Sequence, residues 1–207
     1  MNPVDLALCL AVDASASVDY DEFGLMLGGY AAAFRDPGIV AACTAGPRGA
    51  VAVAMLLWSG IGAQEVVVPW TRVEGEATAA GLAEAIETSP RLVRAGATAL
   101  GEGMAAGLAL LGRFPAEARR LVLDVSGDGR HNQGRAPGPV RDIGVAAGVT
   151  INALAVLNEE GPELLEHYRT EVIGGPGAFV MHCPDYAAFA EAIHEKLWRE
   201  IGGVPVS

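Results

Sequence analysis

The chain has 207 residues, 51% of them hydrophobic and 19% charged, a balance that suits one globular domain with a sizeable core and excludes a disordered or fibrous chain. Its formal charge of -11 would repel a phosphate backbone, so nucleic acid is not an expected partner. The longest apolar runs, such as "VAVAMLLW" at 51–58, fall far short of the ~20 residues a membrane helix needs, and no basic segment leads into an apolar one at the N-terminus. The expectation is a soluble chain without a membrane span.

Taken in order, "VDLALCLAV" (4–12) is a nearly continuous apolar run of strand length, which predicts a strand buried on both faces. "DEFGLMLGGYAAAFRD" follows with helical spacing, placing Phe23, Leu27, Tyr30 and Phe34 on one face. Just before it, Asp19 and Glu22 form a capping box. "GAVAVAMLLW" (49–58) predicts a second buried strand, and "EVVVPW" (65–70) a short one that Pro69 confines to an edge. Helices are predicted over 76–88 and 99–113, and a strand over 120–126 ("RLVLDVS"). A helix at 138–147, a strand at 149–157, a helix from about 162, a strand at 178–182 and an amphipathic helix at 185–201 complete the chain. Alternation of this kind implies one domain over 1–207: a doubly wound, mostly parallel sheet with helices on both faces. No linker divides it.

In such sheets, sites form beyond the carboxyl ends of the strands, where the strand order reverses. Asp13, Ser15 and Ser17 follow directly on the first strand, and Asp128 of "SGDG" (126–129) follows on the strand at 120–126. Thr98 of "AGATALGEG" (95–103) lies on a loop that opens a helix. If the two strands are neighbours, two carboxylates and three hydroxyls gather at one edge. Carboxylates that close repel, and burial pushes one toward its protonated form unless a cation lies between them. Mg²⁺ takes six oxygen ligands and usually keeps waters, so these five side chains can leave one position for an incoming anionic oxygen.

Asp13, Ser15 and Ser17 match a D-x-S-x-S motif, and Thr98 and Asp128 match its two companion loops. On these residues the chain resembles a von Willebrand factor type A (vWA) domain with a metal-ion-dependent adhesion site (MIDAS). "DASASVDYDEF", "WSG" at 58–60 and "DVSGDGRHN" at 124–132 look closest to a bacterial branch of undefined function. The resemblance implies a Rossmann-like six-stranded sheet with one antiparallel edge strand, for which 65–70 is the candidate. It implies Mg²⁺, Mn²⁺ or Ca²⁺ on Asp13, Ser15, Ser17, Thr98 and Asp128. It also implies capture of a partner protein through an Asp or Glu that completes the metal's coordination, without catalysis. Exported relatives carry a signal peptide; this chain begins almost at its first strand, so a periplasmic or extracellular location is expected only if a leader has been removed.

Competing readings attach to the same residues. Serines after a strand commonly cap a helix, but Asp19 already supplies that cap; Thr98 could cap the helix it precedes, and Asp21 reads as a solvated acid at a helix N-terminus. "GDGRHN" (127–132) is similar to a loop of haloacid-dehalogenase-type phosphatases, in which Asp13 would be the nucleophile. That family's general acid is replaced by Ser15 and its final acid by Asn132. Its lysine is missing: the one lysine, Lys196, is in the terminal helix. His131, His167, His182 and His194 show no zinc-hydrolase spacing. Cys9, Cys43 and Cys183 read as small buried hydrophobes. Arg91, Arg94, Arg130, His131 and Arg135 fall on loops expected to open toward the metal, where a basic rim would complement an acidic partner.

Overall fold

The computed structural model describes residues 1–158 and 160–202. Six strands form one sheet in the order β3-β2-β1-β4-β5-β6: β1 Val4–Asp13, β2 Val51–Trp58, β3 Gln64–Val73, β4 Ala118–Gly127, β5 Val149–Val156 and β6 Val180–Cys183. All neighbours are parallel except β2 and β3. The antiparallel edge strand is thus the one carrying Pro69. It is longer than its sequence suggests, because register shifts opposite Val53–Leu56 absorb the missing N–H of the proline as a bulge.

The helices are α1 Tyr20–Arg35, α2 Pro37–Thr44, α3 Glu76–Glu87, α4 Leu100–Gly112, α5 Pro137–Ala146, α6 Pro162–His167 and α7 Phe189–Gly202. Helix α1 starts where the capping box predicts: the Glu22 amide donates to Asp19 Oδ1 (2.8 Å) and the Asp19 amide to Glu22 Oε2 (2.9 Å). Helix α2 is not anticipated by the sequence reading. Its start signal is nevertheless present, since Pro37 occupies the first turn and Asp36 accepts from the Ile39 amide at 3.0 Å.

Parallel strands require crossovers, which cover both faces of the sheet. Strand β1 is sorted accordingly. Leu6, Leu8, Leu10 and Val12 pack with Tyr30, Phe34, Leu82 and Ile193 of α1, α3 and α7. The smaller Ala7, Cys9 and Ala11 face α4 with Met104. Short side chains on that face let α4 approach closely, and Gly103 completes the fit: a Cβ there would lie 2.5 to 2.9 Å from the Trp58 ring. The three cysteines are buried and unpaired.

A second feature fixes α7. Lys196 and Asp124 are both fully buried; the Lys196 ammonium pairs with Asp124 and lies 2.7 Å from Glu200. Asn152 of β5 donates to Glu200 at 2.8 Å, and Arg120 of β4 donates to the Glu200 and Ile201 carbonyls. Burial opposes the charge on Lys196, but the two carboxylates more than offset it and raise its pKa. Burial and the Glu200 charge hold the Asp124 pKa above the usual carboxylate range.

Removing the ammonium strands two acids in the core. Lys196→Met should therefore destabilise the fold by about 3–5 kcal/mol in urea unfolding; a loss below about 1 kcal/mol would show that the acids do not depend on it.

Candidate functional site

Strand β1 leads to β2 and β3 on one side, and β4 to β5 and β6 on the other, so the sheet reverses between β1 and β4. Asp13 ends β1 and Asp128 follows β4, with Val12 paired to Ser126 in the parallel register. Both acids therefore face the crevice where such sheets take ligands.

The β1–α1 loop is held by its backbone. The Ala14 amide donates to the Trp58 carbonyl and the Ala16 amide to the Gly96 carbonyl, each at 2.8 Å. Ala14 and Val18 are buried, which leaves the intervening polar residues to the crevice. The Ser15 amide donates to Asp13 Oδ1 at 2.7 Å. The Ser15 and Ser17 hydroxyls are 3.1 Å apart, and the Ser17 hydroxyl donates to Asp128 Oδ1 at 2.6 Å. Four of the five residues are thus linked, Asp13 to Ser15 through the Ser15 amide, and Ser15, Ser17 and Asp128 through their side-chain oxygens.

Thr98 joins them from the loop before α4. Its amide donates to Asn132 Oδ1 at 2.9 Å, and the Asn132 amide returns a bond to the Thr98 carbonyl at 3.1 Å. Gly129 passes beside the threonine: a Cβ there would be 3.3 Å from Thr98 Oγ1. Ser17, Thr98 and Asp128 line the same cavity. Thr98 does not cap α4, whose N-cap is Ala99 with no side-chain hydrogen bond, so that alternative is corrected.

Electrostatics at the site are unbalanced. Asp13 is fully buried, and burial followed by the Asp128 charge pushes its pKa up to about 7. Burial also raises Asp128, against the Ser17 hydrogen bond. Asp13 Oδ2 has no hydrogen-bond partner, and neither has the buried Tyr168 hydroxyl; a Cβ on Gly127 would lie 2.8 Å from the first and 2.7 Å from the second. An unpaired buried carboxylate oxygen, a second acid and three hydroxyls suit a hard divalent cation. Among the described residues no three His, Cys, Asp or Glu converge as a metal cluster, so the hydroxyls are necessary to any such set.

Several contributors are not legible in the sequence reading. Arg91 turns inward, donating to the Ala14 and Ser15 carbonyls at 3.0 and 2.9 Å, with its guanidinium over the Tyr20 and Phe23 rings. Asn132 clamps the Thr98 loop. Tyr168 stands on a π-helical turn, Tyr168–Val172, a local irregularity often found near sites. Such pairings depend on long-range geometry and have no local signature. The basic rim is corrected: Arg130 pairs with Glu160 and Glu163, and Arg135 with Glu102. The His131 amide faces His167 Nε2 at 3.4 Å. Asp21 is an exposed acid in the first turn of α1.

The fold is similar to that of von Willebrand factor type A (vWA) domains. It is similar to a von Willebrand factor type A protein from Catenulispora acidiphila (TM-score 0.63, 18% identity, covering 96% of this chain and 43% of that one). It is also similar to proximal thread matrix protein 1 from the mussel byssus with a zinc-occupied MIDAS motif (TM-score 0.67, 19% identity, 95% and 46%). A third is the pilus adhesin SpaC from Lactobacillus rhamnosus GG in its open conformation (TM-score 0.68, 15% identity, 97% and 30%). The chain spans less than half the length of each of these proteins. The family described as "Protein of unknown function (DUF1194)" matches residues 3–205, and the chain belongs to it. No curated protein sequence matches the chain.

The raised Asp13 pKa has a definite sign. The folded state holds the Asp13 proton to higher pH than the unfolded state, so in chelator this group lowers stability as pH rises from about 4 to about 7. Asp13→Asn should therefore stabilise the chelated protein more at about pH 8 than at about pH 5, by up to about 2.6 kcal/mol. Denaturant titration of both proteins at both pH values measures it, and an equal effect at the two pH values would contradict the burial argument.

Proposed function

We propose that the chain is a divalent-cation-dependent protein-binding module. Asp13, Ser15, Ser17, Thr98 and Asp128 would hold Mg²⁺, or Mn²⁺ or Ca²⁺, and the ion would supply an electrophilic position for an Asp or Glu carboxylate of a partner protein. The observation that carries this reading is Asp13 Oδ2, buried and without a partner beside the linked Ser15, Ser17 and Asp128 side chains. Neutral hydroxyls among the donors leave a cation more attractive to an outside anion than further carboxylates would.

The roles of the chain's own residues follow from their contacts. Arg91 and the Gly96 carbonyl set the serine loop, Asn132 sets the Thr98 loop, and Ser17 bridges the first loop to Asp128. Similarity to a byssus protein with a zinc-occupied MIDAS motif and to a pilus adhesin supports a role in capture. No catalytic activity is proposed. Phosphoryl transfer to Asp13 would need a lysine beside the phosphate in addition to a metal, and Lys196, on α7, is buried against Asp124 and Glu200. None of the described helices is long and apolar enough to cross a membrane.

A ligand bound only by the folded state stabilises it by about 2.7 kcal/mol at a hundredfold excess over its Kd. Mg²⁺ or Mn²⁺ should raise the Tm of the wild type but leave Asp13→Ala and Asp128→Ala unmoved; identical shifts in all three would remove the site. Proteins retained on the immobilised chain in Mg²⁺ should elute with chelator, and retention indifferent to chelator would argue against metal-mediated capture.

A further inference from the structure

The cavity that gives onto the oxygen cluster has a volume of about 690 Å³, and its wall carries the carboxylates of Asp19, Glu22, Asp128 and Glu160. Arg130 is the one basic residue among the described residues lining it, and it is committed to Glu160 at 3.2 Å and to Glu163. Arg94 is exposed but does not line the cavity.

These acids are placed rather than free to swing away. Asp19 and Glu22 are locked together by the capping box. Glu22 Oε1 also accepts from the Asn158 side-chain amide at 3.5 Å, and Asn158 holds a left-handed backbone conformation (φ 34). That contact pins the β5–α6 loop, with Glu160, against the start of α1.

With Asp13 included, five carboxylates stand against two guanidinium groups, Arg130 in the wall and Arg91 on the serine-loop carbonyls. A divalent ion cancels two of the three surplus charges, so the loaded cleft remains negative. Clefts with low-dielectric walls focus such a field on whatever enters. A carboxylate arriving alone, or among other acids, meets repulsion from the wall before it reaches the ion. Tyr20 adds a surface of the opposite preference: it adjoins Asp19, is 80% exposed, and has Arg91 over its ring at 5.3 Å. Its exposed area suits a second cation.

We infer, resting on the metal-dependent reading above, that the partner presents its coordinating Asp or Glu within a cluster of Lys and Arg side chains. The acidic wall and Tyr20 receive the cations while the metal position receives the carboxylate. Selectivity then lies in the wall, since any exposed acid on any protein could satisfy the metal alone.

Three short fluorescent peptides test this by anisotropy in Mg²⁺ or Mn²⁺: one Glu flanked by lysines, the same peptide with Gln, and one Glu flanked by aspartates. The lysine-flanked Glu peptide should bind at least about tenfold tighter than either of the others. Its advantage over the aspartate-flanked peptide should shrink toward equality at about 1 M salt, where the Debye length is about 3 Å. Glu160→Lys should narrow that preference severalfold while calorimetry shows unchanged metal affinity. Equal or tighter binding of the aspartate-flanked peptide would overturn the inference and leave metal-dependent capture standing. Chelator-insensitive binding of the Gln peptide at equal strength would reduce the cleft to a polycation sink and overturn it too, as would no binding of any peptide at millimolar concentration. Absence of metal binding in calorimetry would instead sink the underlying reading.

Discussion

Two like charges held together out of water are the constraint on which this site depends. The reversal of strand order between β1 and β4 forces Asp13 and Asp128 to the same crevice, and the loops that follow close over them. Water cannot screen Asp13, which is fully buried. The backbone satisfies only one of its oxygens. The remaining imbalance is relieved by a proton or by a cation, and the hydroxyls of Ser15, Ser17 and Thr98 are suited to the second remedy. The fold thus tolerates a local electrostatic cost at the edge of a large apolar sheet.

The Lys196 network shows how the same chain treats buried charge where no opening is needed. Asp124 lies within β4, four residues before Asp128, and is as hidden as Asp13, yet it has an ammonium against it, and Asn152 and Arg120 complete the polar set around Glu200. One buried acid is compensated from within by the single lysine of the sequence; the other, at the strand's outer end, is not. A compensated cluster fixes α7 to β4 and β5, whereas the uncompensated one leaves a demand that an outside ion can meet.

The surroundings of the crevice decide how selective such a demand can be. Of the arginines that read as a basic collar, Arg130 and Arg135 are absorbed by Glu102, Glu160 and Glu163, and Arg91 is turned inward onto backbone carbonyls. What faces the entrance is a wall of fixed acids. Under the proposed reading, recognition would couple a short-range contact at the centre to a longer-range field around it, and the two would favour different atoms of one partner.

Much of this architecture is written locally. Continuous apolar runs identify buried parallel strands, helical spacing around Phe23, Leu27, Tyr30 and Phe34 identifies α1, and the Asp19–Glu22 pair marks its start, because each of these signals involves residues within one or two turns of one another. Asp13, Ser15, Ser17, Thr98 and Asp128 are legible as a set because each follows a predictable strand or opens a predictable helix, and strand ends are where such sheets place their sites. Helix α2, the bulge at Pro69, the inward turn of Arg91, the Asn132 clamp and the burial of Lys196 are not legible in that way. A lysine and a glutamate four apart on a helix read as a solvated pair until an acid from a distant strand is brought beneath them, and an arginine on a loop reads as rim until its carbonyl partners arrive from the β1–α1 loop. Sequence alone determined which elements form and where oxygen donors collect; tertiary structure decided which charges are neutralised and which are left waiting, since that depends on distances between segments far apart along the chain.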